Sequence, residues 1–140
     1  MSETSKKTKR AGAVKAAPKL KVKRKHERAF PHVRIRIGDG KVLGPGKVEL
    51  LEAIGRTGSI SAAGRDLGMS YRRAWLLVDA LNHMFPDPVV TASPGGSHGG
   101  GAKLTDYGRS VAAAYRRVEE RARVAMREEL APFNISVDRD

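Results

Sequence analysis

The residues best suited to chemistry are a short run of donors, Ser70-Tyr71-Arg72-Arg73, directly after Gly68-Met69. An arginine can read guanine through two parallel hydrogen bonds or hold a phosphate. Ser70, its neighbouring amides and the positive end of a helix suit a phosphate as well. Two exposed arginines on a helix are ordinary in themselves; their place just after a tight turn marks them as candidates for DNA contact. A second set of donors lies in Pro94-Gly95-Gly96-Ser97-His98-Gly99-Gly100-Gly101, where five of eight residues are glycine. Glycines let a loop approach phosphates closely, and Ser97, His98 and Lys103 add donors and charge. No Gly-Lys-Ser/Thr follows, so the loop is not a nucleotide P-loop, and a dinucleotide fingerprint would need a strand-to-helix context. The plain alternative is a flexible loop. The candidate DNA contacts are Ser59, Ser70, Tyr71, Arg72, Arg73, Gly95, Gly96, Ser97, His98 and Lys103.

Other chemistries lack their residues. The chain has no cysteine, which excludes disulfides and thiolate metal sites. The histidines, His26, His32, His83 and His98, are scattered without metal-ligand spacing, and His83 reads as a surface or rim residue. No serine has a nucleophile-elbow context and no carboxylate pair marks a cleft. Glu119-Glu120 and Glu128-Glu129 sit among arginines at helical spacing, as a solvated, salt-bridged face does. Trp75 reads as a core aromatic. No catalytic residue, metal or cofactor is expected.

The elements that must position the donors follow from periodicity. Ile60, Ala63 and Leu67 form one apolar stripe behind a cap at Ser59; Ala74, Leu77, Val78 and Leu81 form another behind a cap at Ser70. Gly64 is small where two crossing helices meet, and Gly68 tolerates the left-handed backbone of the turn between them. This is a helix-turn-helix, whose second helix enters the major groove. Upstream, Val33-Arg34-Ile35-Arg36-Ile37 alternates as a half-buried strand does, and Gly38-Asp39-Gly40-Lys41 turns it towards Val42-Leu43. Pro45 opens a helix to about Gly55, with Val48, Leu51 and Ile54 on one face. Downstream, Val89-Val90-Thr91 and Ala102-Lys103-Leu104 flank the glycine loop as a hairpin, the wing of a winged helix. Thr105 then caps a helix running to about Ala131, where Pro132 stops it. Val111, Tyr115, Val118, Ala122, Ala125 and Leu130 approximate one stripe on it.

The expected fold is mostly α with a small β component: a winged helix-turn-helix with a long C-terminal dimerisation helix. Residues 30–131 are its domain and 132–140 a short C-terminal tail. Of the formal net charge of +12, residues 1–28 hold +9, leaving +3 for the rest. Residues 1–29 have few large apolar side chains and are expected to be a disordered basic tail. Such a tail adds affinity for any polyanion by releasing counterions, or serves only to keep the chain soluble. No apolar run spans a bilayer and the N-terminus lacks a secretory pattern, so a cytoplasmic, nucleoid-associated protein without membrane contact is expected.

With these residues in view, the chain from about 33 to 131 resembles the DNA-binding domain of the ModE-type molybdate-responsive regulators, relatives of the LysR-type winged helices. The likeness lies in Gly58-Ser59-Ile60-Ser61-Ala62-Ala63, in Ser70-Tyr71-Arg72-Arg73-Ala74-Trp75, and in the run from Gly95 to Thr105. It implies a homodimer held by the first and last helices, and DNA contacts from Ser70-Tyr71-Arg72-Arg73 and the glycine-rich wing. The interface candidates are Leu51, Val111, Tyr115, Val118, Ala122 and Ala125. ModE regulators also carry oxyanion-binding domains beyond this point, whereas this sequence ends at Asp140. The expectation is therefore a stand-alone version with no molybdate sensing assigned and no small-molecule effector evident. The expected function is that of a dimeric transcription regulator, not an enzyme, whose partner is double-stranded DNA carrying a roughly palindromic site. An architectural DNA-coating protein and a winged-helix protein-interaction module are the alternatives.

Overall fold

A central helix organises the fold. In the computed structural model, which describes residues 28–94 and 101–139, α1 (Pro45–Thr57) opens at a proline whose missing N–H costs nothing in a first turn. It ends at Gly58, whose φ of 69° lets its amide bond back to the Ile54 carbonyl at 2.8 Å. Val48, Leu50, Leu51, Ala53 and Ile54 are all buried, so three sides of α1 carry apolar residues and it is wrapped accordingly. It packs against α2 (Ile60–Asp66), α3 (Tyr71–Met84), α4 (Asp106–Leu130) and the strand β5 (Gly101–Leu104).

Before α1, only Ile35–Arg36 (β2) and Val42–Leu43 (β3) pair as an antiparallel ribbon, shorter than the alternating run suggests. The Ile37 amide closes the turn on the Lys41 carbonyl at 2.8 Å. Val33, Ile35 and Ile37 pack on the core, while His32, Arg34 and Arg36 face outward. After α3, β4 (Val90–Ser93) pairs with β5 in register from Val90↔Leu104 to Ser93↔Gly101. The hairpin base is fastened twice. The Thr105 hydroxyl donates to the Pro88 carbonyl at 2.7 Å and accepts the Gly108 amide at 2.9 Å. At Gly108 itself a Cβ would come within 2.3 Å of the Val89 carbonyl oxygen, so only glycine lets α4 start this close to the strand.

The 25-residue α4 is used in two ways. Its first half buries Gly108, Ala112, Tyr115 and Glu119. Its last turns are covered on one side by residues expected to form a free tail. After α4 ends at Leu130, a 3₁₀ turn (Ala131–Phe133) containing Pro132 leads to β6 (Ser136–Val137). There β6 pairs in parallel with β1 (Arg28–Ala29), and Arg28 bonds Asp138 at 3.3 Å. Residues 132–140 are thus not a simple tail: Asn134 takes the left-handed conformation that reverses the chain, and β6 packs on α4. At the other end, Arg28 and Ala29 belong to the fold; the remainder of the expected basic tail, residues 1–27, lies outside the described residues.

The expectation for Glu119 also needs correcting, because it is buried rather than solvated, at 6% exposure. Arg116 explains how a carboxylate survives there. Its guanidinium bonds Glu119 at 2.8 Å and Glu52 of α1 at 2.6 and 3.1 Å. Chiefly the Glu52 hydrogen bonds, supported by Glu119, raise the Arg116 pKa well above its usual value. Beside it the Tyr115 hydroxyl donates to the Val33 carbonyl at 2.7 Å, and burial, followed by the Glu119 charge, raises its pKa. This junction fixes α4 on α1 and holds the ribbon strand against both.

Candidate nucleic-acid interface

The joint between α2 and α3 sets the angle at which α3 is presented. A Cβ at Gly64 would stand 3.2 Å from the Ala74 Cβ and 3.4 Å from the Met69 carbonyl oxygen. The two helices therefore cross at a distance that tolerates little beyond hydrogen. Gly68 supplies the turn with φ at 68°, where a side chain would be strained. Both ends are capped as their sequence implies: Ser59 Oγ accepts the Ala62 amide and Ser70 Oγ the Arg73 amide, each at 3.1 Å. Ala74, Val78, Leu81 and Met84 then anchor α3 on the core.

With that face buried, the opposite flank is open. Tyr71, Arg72 and Arg73 are exposed in the first turn of α3, beside an exposed Ser70. Among the described residues neither arginine forms a salt bridge, whereas Arg116, Arg123 and Arg127 on α4 all do. Trp75 departs from its expected place in the core. It is 49% exposed and, with Tyr71 at 60%, lines a groove of about 330 Å³ between α3 and the wing. The reason is angular: the buried stripe runs through Ala74 and Val78, which leaves residue 75 one helical step to the side. Thr91 and Ala92 of β4 face it across the groove.

Lys103 is exposed on β5, opposite Thr91. The other wing candidates, Gly95, Gly96, Ser97 and His98, lie outside the described residues. The residue that joins α3 to the wing is one that its sequence context does not mark. Asn82 Oδ1 accepts the amides of Val89 and Val90 at 2.9 and 3.2 Å, and its Nδ2 donates to the Val90 carbonyl at 2.9 Å. One amide side chain thereby serves the backbone of β4 from both sides and locks the wing to α3. A second lock is the Ala102 amide, which bonds the Gly58 carbonyl at 3.0 Å.

The six interface candidates divide. Leu51 is sealed within the core of its own chain and Tyr115 nearly so, at 0% and 1% exposure. Neither has surface left for a second copy, because α1 is wrapped on three sides and the tyrosine is drawn in by the Val33 carbonyl. Val118 and Ala125 are exposed on α4, with Val111 and Ala122 half-buried beside them. Among the described residues, no group of three or more acidic or histidine side chains is arranged to hold a metal ion.

Three short helices, a tight glycine turn, an outward-facing second helix of the pair and a hairpin beside it define a winged helix-turn-helix domain. Residues 46–109 match the family of bacterial regulatory helix-turn-helix proteins of the lysR type. The more detailed likeness is to the ModE-type regulators. Over 80 residues the chain is 55% identical to the molybdenum-pterin-binding protein MopB of Rhodobacter capsulatus, covering 57% of this chain and 30% of that protein. It is 45% identical over 80 residues to the molybdenum transport protein ModE of Azotobacter vinelandii, with the same coverage. Against the DNA-binding transcriptional dual regulator ModE of Escherichia coli it is 38% identical over 71 residues, covering 51% of this chain and 27% of the other. The matched region thus spans less than a third of the length of these relatives. A solved LysR family transcriptional regulator aligns with a TM-score of 0.45 and 16% identity, over 61% of this chain and 28% of that one.

Proposed function

We propose that this chain is a ModE-like, DNA-binding transcription regulator that works as a homodimer on a roughly palindromic site. The observation that carries the reading is the exposed first turn of α3, with Tyr71, Arg72 and Arg73 free of acidic partners among the described residues and held beside a wing. Inserted into a major groove, that turn brings two guanidinium groups to base edges and the Ser70 end of the helix to a phosphate. The wing follows the adjacent backbone, with Lys103 as a counter-charge. Paired α4 helices, meeting through Val118 and Ala125, set two such modules on successive half-sites. The chemistry is recognition rather than turnover. None of the described helices is long and apolar enough to cross a membrane, consistent with work in the cytoplasm on the nucleoid. We assign no effector to the chain itself.

The test is selection of bound duplexes from a random pool, followed by sequencing. An enriched motif with two inverted halves supports the reading. Binding to all duplexes without enrichment replaces it with an architectural role, and no binding to duplex at all removes DNA as the partner.

A further inference from the structure

We infer that the ribbon upstream of the helix-turn-helix is a second DNA-backbone contact, gripping the phosphate strand on the side of α3 away from the wing. This rests on the DNA-binding reading above and extends it to residues before 46, where the family match begins. On the flank of α3 opposite Trp75, a recess of about 280 Å³ opens between the ribbon, the start of α1 and the recognition helix. Four basic side chains line it from three separate segments: His32 and Arg34 from the stretch leading into β2, Lys47 from α1, and Arg73 from α3. Among the described residues, no acidic side chain lines it. Among the described residues neither Arg34 nor Arg73 is in a salt bridge, and Lys47 spends one donor on the Val42 carbonyl. Gathering Arg34, Lys47 and Arg73 from distant parts of the chain around one hollow, with no anion there among the described residues, costs repulsion, which a bound polyanion relieves.

Geometry identifies the polyanion. A helix lying in a major groove about 12 Å wide has a phosphate strand along each flank. The wing stands beside one flank of α3, on the side of Tyr71 and Trp75. Arg73 belongs both to the exposed face of α3 and to the recess, so the recess lies on the other flank. The alternation of the ribbon strand serves this purpose. Val33 and Ile35 bury their side chains in the domain, which turns His32 and Arg34 outward together. The position of Arg34 is fixed from behind by the Tyr115 hydroxyl on the Val33 carbonyl.

The experiment is a salt titration of duplex binding with the full chain and its Arg34→Ala and Arg34→Lys variants, on a selected site and on a random duplex. Loss of one phosphate contact per protomer makes the slope of log K against log salt shallower by about one for each protomer bound, about two for a dimer, and weakens binding about tenfold per protomer at 0.1 M salt, on both duplexes alike. Arg34→Lys keeps the charge and should retain most of the slope. Unchanged thermal unfolding of Arg34→Ala, expected for an exposed side chain, assigns the effect to contact rather than folding. An unchanged slope in a folded Arg34→Ala overturns the ribbon contact while leaving the DNA-binding reading intact. Loss on the selected site alone overturns it in favour of base reading by Arg34. If the unaltered chain binds neither duplex, the DNA-binding reading itself fails, and the ribbon contact falls with it.

Discussion

The first turn of α3 and the junction between α1 and α4 both hold arginines, and they use them in opposite ways. At that junction Arg116 is held by Glu52 and Glu119; elsewhere on α4, Arg123 and Arg127 lie against Glu120, while Arg117 and Arg121 are exposed and in no salt bridge among the described residues. On α3, Arg72 and Arg73 stand exposed beside a capping serine with no carboxylate bonded to them among the described residues. The Arg116 guanidinium has its donors engaged by two carboxylates inside the fold, where it ties two helices together. An unpaired one keeps its donors for something else. Residue type is the same in both regions; the neighbours decide the role, so an arginine count says little until the acids have been located.

Substitutions can break this contrast in order of expected effect. Leu51→Ala removes a fully buried side chain of α1 and should cost about 2–5 kcal/mol in denaturant unfolding. If it instead leaves stability intact and loosens only self-association, Leu51 is an interface residue after all. Arg72→Ala and Arg73→Ala should leave unfolding within about 0.5 kcal/mol of the parent, yet cost about 1–3 kcal/mol in binding a selected site. Equal losses on selected and random DNA would reassign them to phosphates. Arg116→Ala should do the reverse, destabilising by about 1–2 kcal/mol because Glu119 is left buried without its partner, a figure reduced by the partial exposure of the arginine. Binding per folded molecule should hardly change. Asn82→Ala gives up the hydrogen bonds to Val89 and Val90 and should cost about 1 kcal/mol in stability. Its sharper sign is faster amide exchange in β4, visible by hydrogen–deuterium exchange. The smallest effect is spectroscopic: Trp75 is the sole tryptophan, so its emission should shift when duplex DNA covers the groove beside the wing. Emission that ignores saturating DNA would place the duplex elsewhere.

The features legible in the sequence are those with a local cause. Gly64 and Gly68, the caps at Ser59, Ser70 and Thr105, and the stripes of α2 and α3 each act within about one helical turn, and the structure has them where their spacing puts them. What could not be read depends on partners far away along the chain. Asn82 is one polar residue on a helix until β4 arrives beside it. Arg116 and Glu52 are 64 residues apart, and a surface pair on α4 looks the same in sequence as a junction between helices. Trp75 has a residue type that suggests burial, whereas its angle on α3 leaves it at the rim. The stripe that carries Tyr115 says only that one face of α4 is apolar, not whose core it enters, and the tyrosine enters that of its own chain. The β1–β6 pair is two residues long on each side, too short for any periodicity to reveal.

That short pair has a mechanical consequence. Its strands run in parallel, with Asp138 bonded through its backbone to the Ala29 carbonyl and through its side chain to Arg28. Tension drawn from residue 28 towards the N-terminus and from residue 138 towards the C-terminus pulls these strands past one another lengthwise. The bonds between them must then yield together instead of one after another. The load would meet this clasp before it reached the helices that present the exposed first turn of α3.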